Sequence, residues 1–74
     1  MGKPIMKFSA GTVQVAVWEN ESAKGNYKTV SIEKRFKDGD NWRSSNSFKV
    51  NELPKAILAL QKAYESISMK QENA

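Results

Sequence analysis

One change of pattern constrains this chain more than any other feature. Residues 12–50 are written at strand period, and residues 51–69 are written at helix period with one continuous apolar stripe. Alternation at period two places successive side chains on opposite faces of a sheet, whereas apolar residues three and four apart line one side of a helix. A chain with strands first and a single amphipathic helix last folds as α+β, with the helix laid on an antiparallel sheet. Charge divides at the same place. Residues 1–50 hold nine Lys and Arg against five acids, and residues 51–74 hold three against three when Glu52 is counted with the helix. The net +4 of the protein therefore sits on the strands.

The strands can be read one by one. Thr12–Trp18 alternates and is rich in β-branched residues, so Val13, Val15 and Val17 share one face and Gln14, Ala16 and Trp18 the other. Before it, Ala10-Gly11 signals a turn, and Met6–Phe8 is expected as a first edge strand. Residues 19–26 hold Asn20, Ser22, Gly25 and Asn26 and predict a loop. Tyr27–Lys37 predicts a second clear strand with Lys28, Val30, Ile32, Lys34 and Phe36 on one face and Tyr27, Thr29, Ser31, Glu33 and Arg35 on the other. Asp38-Gly39 is a strong hairpin signal, and Trp42–Val50 is expected to return as the last strand with Phe48 and Val50 turned to the core.

Asn51 is the expected N-cap and Pro54 fits the first helical turn, where a missing N–H costs nothing. Leu53, Ile57, Leu60, Tyr64 and Ile67 then recur at helical spacing, flanked by Ala56, Ala59 and Ala63. The plain use of that stripe is to cover the sheet. Leu58 lies off the stripe, however, and one small sheet cannot absorb both, so a second helix from a like chain is expected to bury the rest. Residues 1–5 and 70–74 read as flexible ends of a single domain spanning 1–74.

Composition removes whole classes of chemistry. The chain has no Cys and no His, which excludes disulfides, thiolate metal sites and the usual nucleophile–base pairs. Asp38 and Asp40 flank a turn glycine but lack the further ligands of a calcium loop. No phosphate-binding glycine loop is present. The expectation is a non-enzyme with no cofactor, no metal and no small-molecule substrate. A 74-residue chain buries only about 60% of its unfolded surface, so its own core is thin and dimerisation is the available reinforcement. No apolar run is long enough for a membrane span. The opening segment has neither the form of a secretory leader nor Ser/Thr at position 6 for myristoylation. An intracellular protein is expected, cytoplasmic or at the nucleoid or nucleus.

What remains is binding. Single-strand nucleic-acid platforms combine cations along the phosphates with aromatic rings under the bases. Trp18, Phe36 and Trp42 are the candidate stacking rings, and Lys28, Lys34, Arg35, Lys37, Arg43 and Lys49 the candidate phosphate contacts. No base-reading code is visible, so weak sequence preference and steep salt dependence are expected. Two competitors stand beside this reading. One is a protein-interaction module that uses the helix stripe. The other is a duplex-DNA architectural protein, which would need a wedge or helix for a groove.

Val13–Trp18, the Gly25 loop, Lys28–Phe36, the Asp38-Gly39 hairpin and Ser47–Asn51 leading into a helix together resemble the single-stranded DNA-binding domain of the positive cofactor 4 transcriptional coactivators, which is related in shape to the Whirly proteins. The resemblance covers roughly residues 8–68. It implies a bent four-stranded antiparallel sheet, one helix, dimerisation through helices and single-stranded or melted DNA held on the sheet, in support of transcription, replication or repair. Trp18 matches the aromatic ending an early strand of that family, and Phe36 the aromatic before its second hairpin. Two positions depart: Glu33 stands where the family has Arg, and Asn46 falls near a basic position.

Overall fold

The computed structural model describes residues 3–69. Four antiparallel strands run in chain order across one sheet: β1 (Met6–Ala10), β2 (Val13–Ser22), β3 (Gly25–Asp38) and β4 (Asn41–Ser45). A single 3-10 turn at Val50–Glu52 leads into α1 (Leu53–Ser68). The α+β architecture is thus the expected one, and the first strand at residues 6–10 is paired with β2 in full.

Register fixes the two faces. Phe8, Val15 and Ile32 lie side by side, as do Met6, Val17 and Val30. These residues point toward α1, where Val13, Val15 and Val17 are no more than 1% exposed. Against them α1 presents Ala56, Ala59 and Ala63, all buried. Met6, Phe8, Ala10, Ile32, Phe48 and Ile67 complete the core from its margin. Short side chains at spacings of three and four let the helix axis come close to a floor of β-branched residues.

This arrangement corrects one expectation. The stripe Leu53, Ile57, Leu60 and Tyr64 does not cover the chain's own sheet; only Ile67 of that series is half-buried. At 3.6 residues per turn the stripe lies roughly 100° around the helix from the alanine face. Ile57 remains 61% exposed and Tyr64 67% exposed.

Three local corrections follow from identifiable bonds. Residues 19–26 are not a loop, because β2 and β3 continue to a two-residue turn at Ala23-Lys24. The opposed charges Glu19 and Lys28 are cross-strand neighbours, and Asn20 Nδ2 donates to Thr29 Oγ1 at 3.0 Å. Such cross-strand pairs stabilise the extended β2–β3 ribbon enough to outweigh turn-forming composition. The last strand stops at Ser45 rather than Val50. There the Ser47 N–H donates to Ser45 Oγ at 3.0 Å, and Asn46 Nδ2 donates to the Ile32 carbonyl at 2.8 Å. Short polar side chains have taken over the backbone's ladder partners. Val50 is consequently 83% exposed and outside the core, while Phe48 does pack on its margin. Finally, Asn51 does not cap α1. Glu52 closes the junction instead, its Oε1 accepting from the Lys49 N–H at 2.6 Å and from Lys34 Nζ at 2.8 Å. Pro54 lies in the first turn as expected.

Gly39 opens the β3–β4 turn with φ 65°, and Gly11 opens the β1–β2 turn with φ 61°, conformations that glycine adopts without strain. At Gly11 a side chain would also meet Lys55 Nζ at 2.9 Å. Of the two ends expected to be flexible, residues 1–2 and 70–74 lie outside the described residues, and the Ile5 N–H donates to the Val17 carbonyl at 2.8 Å.

Candidate nucleic-acid interface

Pleating sorts the candidate residues into two groups. On the face away from α1, register sets Lys7 beside Ala16 and Ser31, Gln14 beside Glu33, Trp18 beside Thr29, and Lys37 beside Trp42. On the helix side lie Lys28, Lys34, Phe36 and Arg43, with Phe36 directly opposite Arg43. Lys49 belongs to neither face, since it follows the end of β4. The nine residues named from the sequence therefore do not form one groove: Trp18, Arg35, Lys37 and Trp42 share the uncovered face, and the remaining five do not.

The helix-free face carries a shallow trough. One hollow of about 300 Å³ is lined by Lys7, Gln14, Trp18, Ser31, Glu33 and Arg35, among others. A second, of about 250 Å³, is lined by Gln14, Arg35 and Trp42. The two share Gln14 and Arg35, so the trough runs from Trp18 on β2 to Trp42 on β4. Trp18 is half-buried and its orientation is set by Nε1–H donating to Ser31 Oγ at 2.9 Å. Trp42 is 61% exposed, and Tyr27 is also exposed on this face. A half-buried ring fixed in this way has its donor satisfied, so its π-face is the surface it can offer to a ligand.

Charge is distributed as unevenly as the rings. On the helix side, Lys34 pairs with Glu52 at 2.8 Å, Arg43 pairs with Asp38 at 3.0 Å, and Lys28 stands opposite Glu19. Among the described strand residues of the helix-free face, Lys7, Arg35 and Lys37 stand against one acid, Glu33. Neither ion pair among the described residues involves that face. The Glu52 carboxyl is held below the ordinary glutamate range, first by the hydrogen bond from Lys34 and then by the Lys49 N–H.

Sequence reasoning missed Lys7, Gln14 and Ser31 as trough residues. Their signal was parity: Gln14 shares a face with Trp18 on one strand, and Ser31 shares one with Arg35 on the next. A third pocket, at the β4 end of the helix side, gathers Lys34, Phe36, Lys49 and Glu52 among others, and Arg35 contributes to its lining as well. Its Lys34 is already engaged by Glu52.

Among the described residues no cluster of three or more acids could hold a metal ion, and no helix is long and apolar enough to cross a membrane. No family model matches the chain, and no curated protein or solved structure matches it either.

Proposed function

We propose that this protein binds single-stranded nucleic acid on the helix-free face of its sheet, as a homodimer paired through α1. The observation that carries the reading is the coincidence on one uncovered face of three cations, Lys7, Arg35 and Lys37, with an oriented ring, Trp18, and an exposed one, Trp42. Bases stack on the rings and phosphates follow the cations, contacts that by themselves tolerate sequence and serve DNA and RNA alike. The resemblance to the positive cofactor 4 domain belongs to this proposal and favours DNA. A shallow trough on a sheet face, from which no helix projects among the described residues, suits a single strand better than a duplex groove.

The homodimer rests on the other open surface. Leu53, Ile57, Leu60 and Tyr64 form a contiguous apolar strip, and Val30 on β3 is exposed on the same side of the sheet. Large exposed apolar strips on small domains mark association sites. A second copy supplies the same strip in a two-fold pairing.

The test is fluorescence anisotropy with a labelled single strand and its duplex. Tighter binding of the single strand, with Trp18→Ala costing about 1–3 kcal/mol and Phe36→Ala leaving affinity unchanged, is the expected result. Absence of binding at low salt would refute the reading and leave the helix strip as the functional surface. Sedimentation of Ile57→Glu checks the dimer: a folded monomer is expected, and an unchanged mass would refute pairing through this strip.

A further inference from the structure

Glu33 is out of place on a phosphate-binding surface. It is half-buried on the helix-free face, next to Gln14 across the strands, and it lines the same hollow as Trp18, Lys7 and Arg35. Neither ion pair among the described residues includes it. No buried side-chain oxygen among the described residues lacks a partner, so neither carboxylate oxygen of Glu33 is both sealed from solvent and unsatisfied. A carboxylate offers acceptors only. It repels phosphate and attracts N–H donors.

Resting on the single-strand reading above, we infer that Glu33 makes the trough selective for guanine. With Glu33 on the trough floor, a bound strand must turn its bases inward and its phosphates toward Lys7, Arg35 and Lys37. A base stacked on Trp18 then sets its edge against Glu33. Guanine presents two adjacent donors on its Watson–Crick edge, N1–H and the N2 amino group, which match the two oxygens of one carboxylate. Thymine places carbonyl oxygens on both sides of its single N–H, and these face the carboxylate unfavourably. Adenine and cytosine offer one amino donor beside a ring acceptor. A charged two-point contact of this kind is both stronger and more directional than a single hydrogen bond. Lys7 and Arg35 at the rim offset the local negative charge, so the carboxylate is tolerated in a trough that still binds an anion.

The test compares three labelled strands of about 12 nucleotides, a length within the site sizes such proteins occupy: thymine only, alternating thymine and guanine, and alternating thymine and hypoxanthine, which lacks the N2 amino group. Wild-type protein is expected to favour the guanine strand over the thymine strand by about 5- to 150-fold, the range for one bidentate base contact. The hypoxanthine strand falls between them. Glu33→Gln, checked for folding by thermal melt, should bind the thymine strand more tightly and bring the guanine-to-thymine ratio close to one. Equal binding of guanine and thymine strands by wild type, or a ratio that survives in Glu33→Gln, overturns the assignment while leaving single-strand binding intact. Failure of every strand to bind removes both the assignment and the reading beneath it.

Discussion

The sorting of cations by the pleat makes a quantitative prediction about salt. Each phosphate neutralised on a single strand contributes about −0.7 to the slope of log affinity against log salt. With Lys7, Arg35 and Lys37 as the contacts, a strand short enough to occupy one trough should bind with a slope of about −2. Raising salt from about 50 to 200 mM then weakens binding about 20-fold. Replacing Arg35 and Lys37 together with Gln leaves one contact, a slope of about −0.7 and a loss of only about 3-fold over the same range. The informative control is the double replacement of Lys28 and Arg43 with Gln. It removes the same formal charge, but from the helix side, where Glu19 and Asp38 stand beside those cations. Its slope should stay at about −2. Anisotropy titrations at four or more salt concentrations read the slopes directly. If the Arg35/Lys37 variant keeps the wild-type slope, or the Lys28/Arg43 variant flattens it equally, the binding face has been misassigned.

Two further outcomes concern the scaffold. Val15→Ala removes two methyl-sized groups from a site 1% exposed and should destabilise the fold by about 2 kcal/mol or more, a large share of the total for a domain this small. A melting temperature lowered by less than about 4 °C would contradict the placement of Val15 in the core. Because folding lowers the Glu52 pKa, the stabilisation is complete above the ordinary glutamate range and fades as pH falls through the lowered folded value. Glu52→Gln should abolish that portion of the acid sensitivity in pH-dependent denaturation curves, and a variant with the unaltered acid profile would show the Lys34–Glu52 pair to be irrelevant to it.

Much of this was legible in the sequence, and the remainder has specific physical causes. Val13, Val15 and Val17 announce a buried face by alternation alone, and the structure buries them. Trp18 and Arg35 were each assignable to a face of their own strand. Joining those faces requires the register Trp18–Thr29 and Gln14–Glu33, which depends on where the β2–β3 turn falls. Turn-forming residues spread over 20–26 hid a two-residue turn at 23–24. The end of β4 depended on side-chain bonds from Asn46 and to Ser45, which polarity alone does not locate. On the helix, alanines and large apolar residues repeat at the same period. Only the depth of the valine floor decides that the alanines face inward.

The pairing of helix-side charges bears on the proposed dimer as well as on the proposed nucleic-acid site. A two-fold interface sets each surface patch against its own copy, so any unbalanced charge near the axis meets a like charge. Lys34 and Arg43 lie on the side of the sheet from which α1 projects its apolar strip, and each is held by an acid within 3.0 Å. That side can therefore approach a copy of itself without concentrating positive charge. Lys34 and Arg35 are consecutive residues of β3 that point to opposite faces, one neutralised by the start of α1 and the other left to the trough. Alternation along a single strand thus separates a face able to meet its own copy from a face able to meet an anion. Glu33 is the exception within the trough, which is why its role there is best sought in the bases.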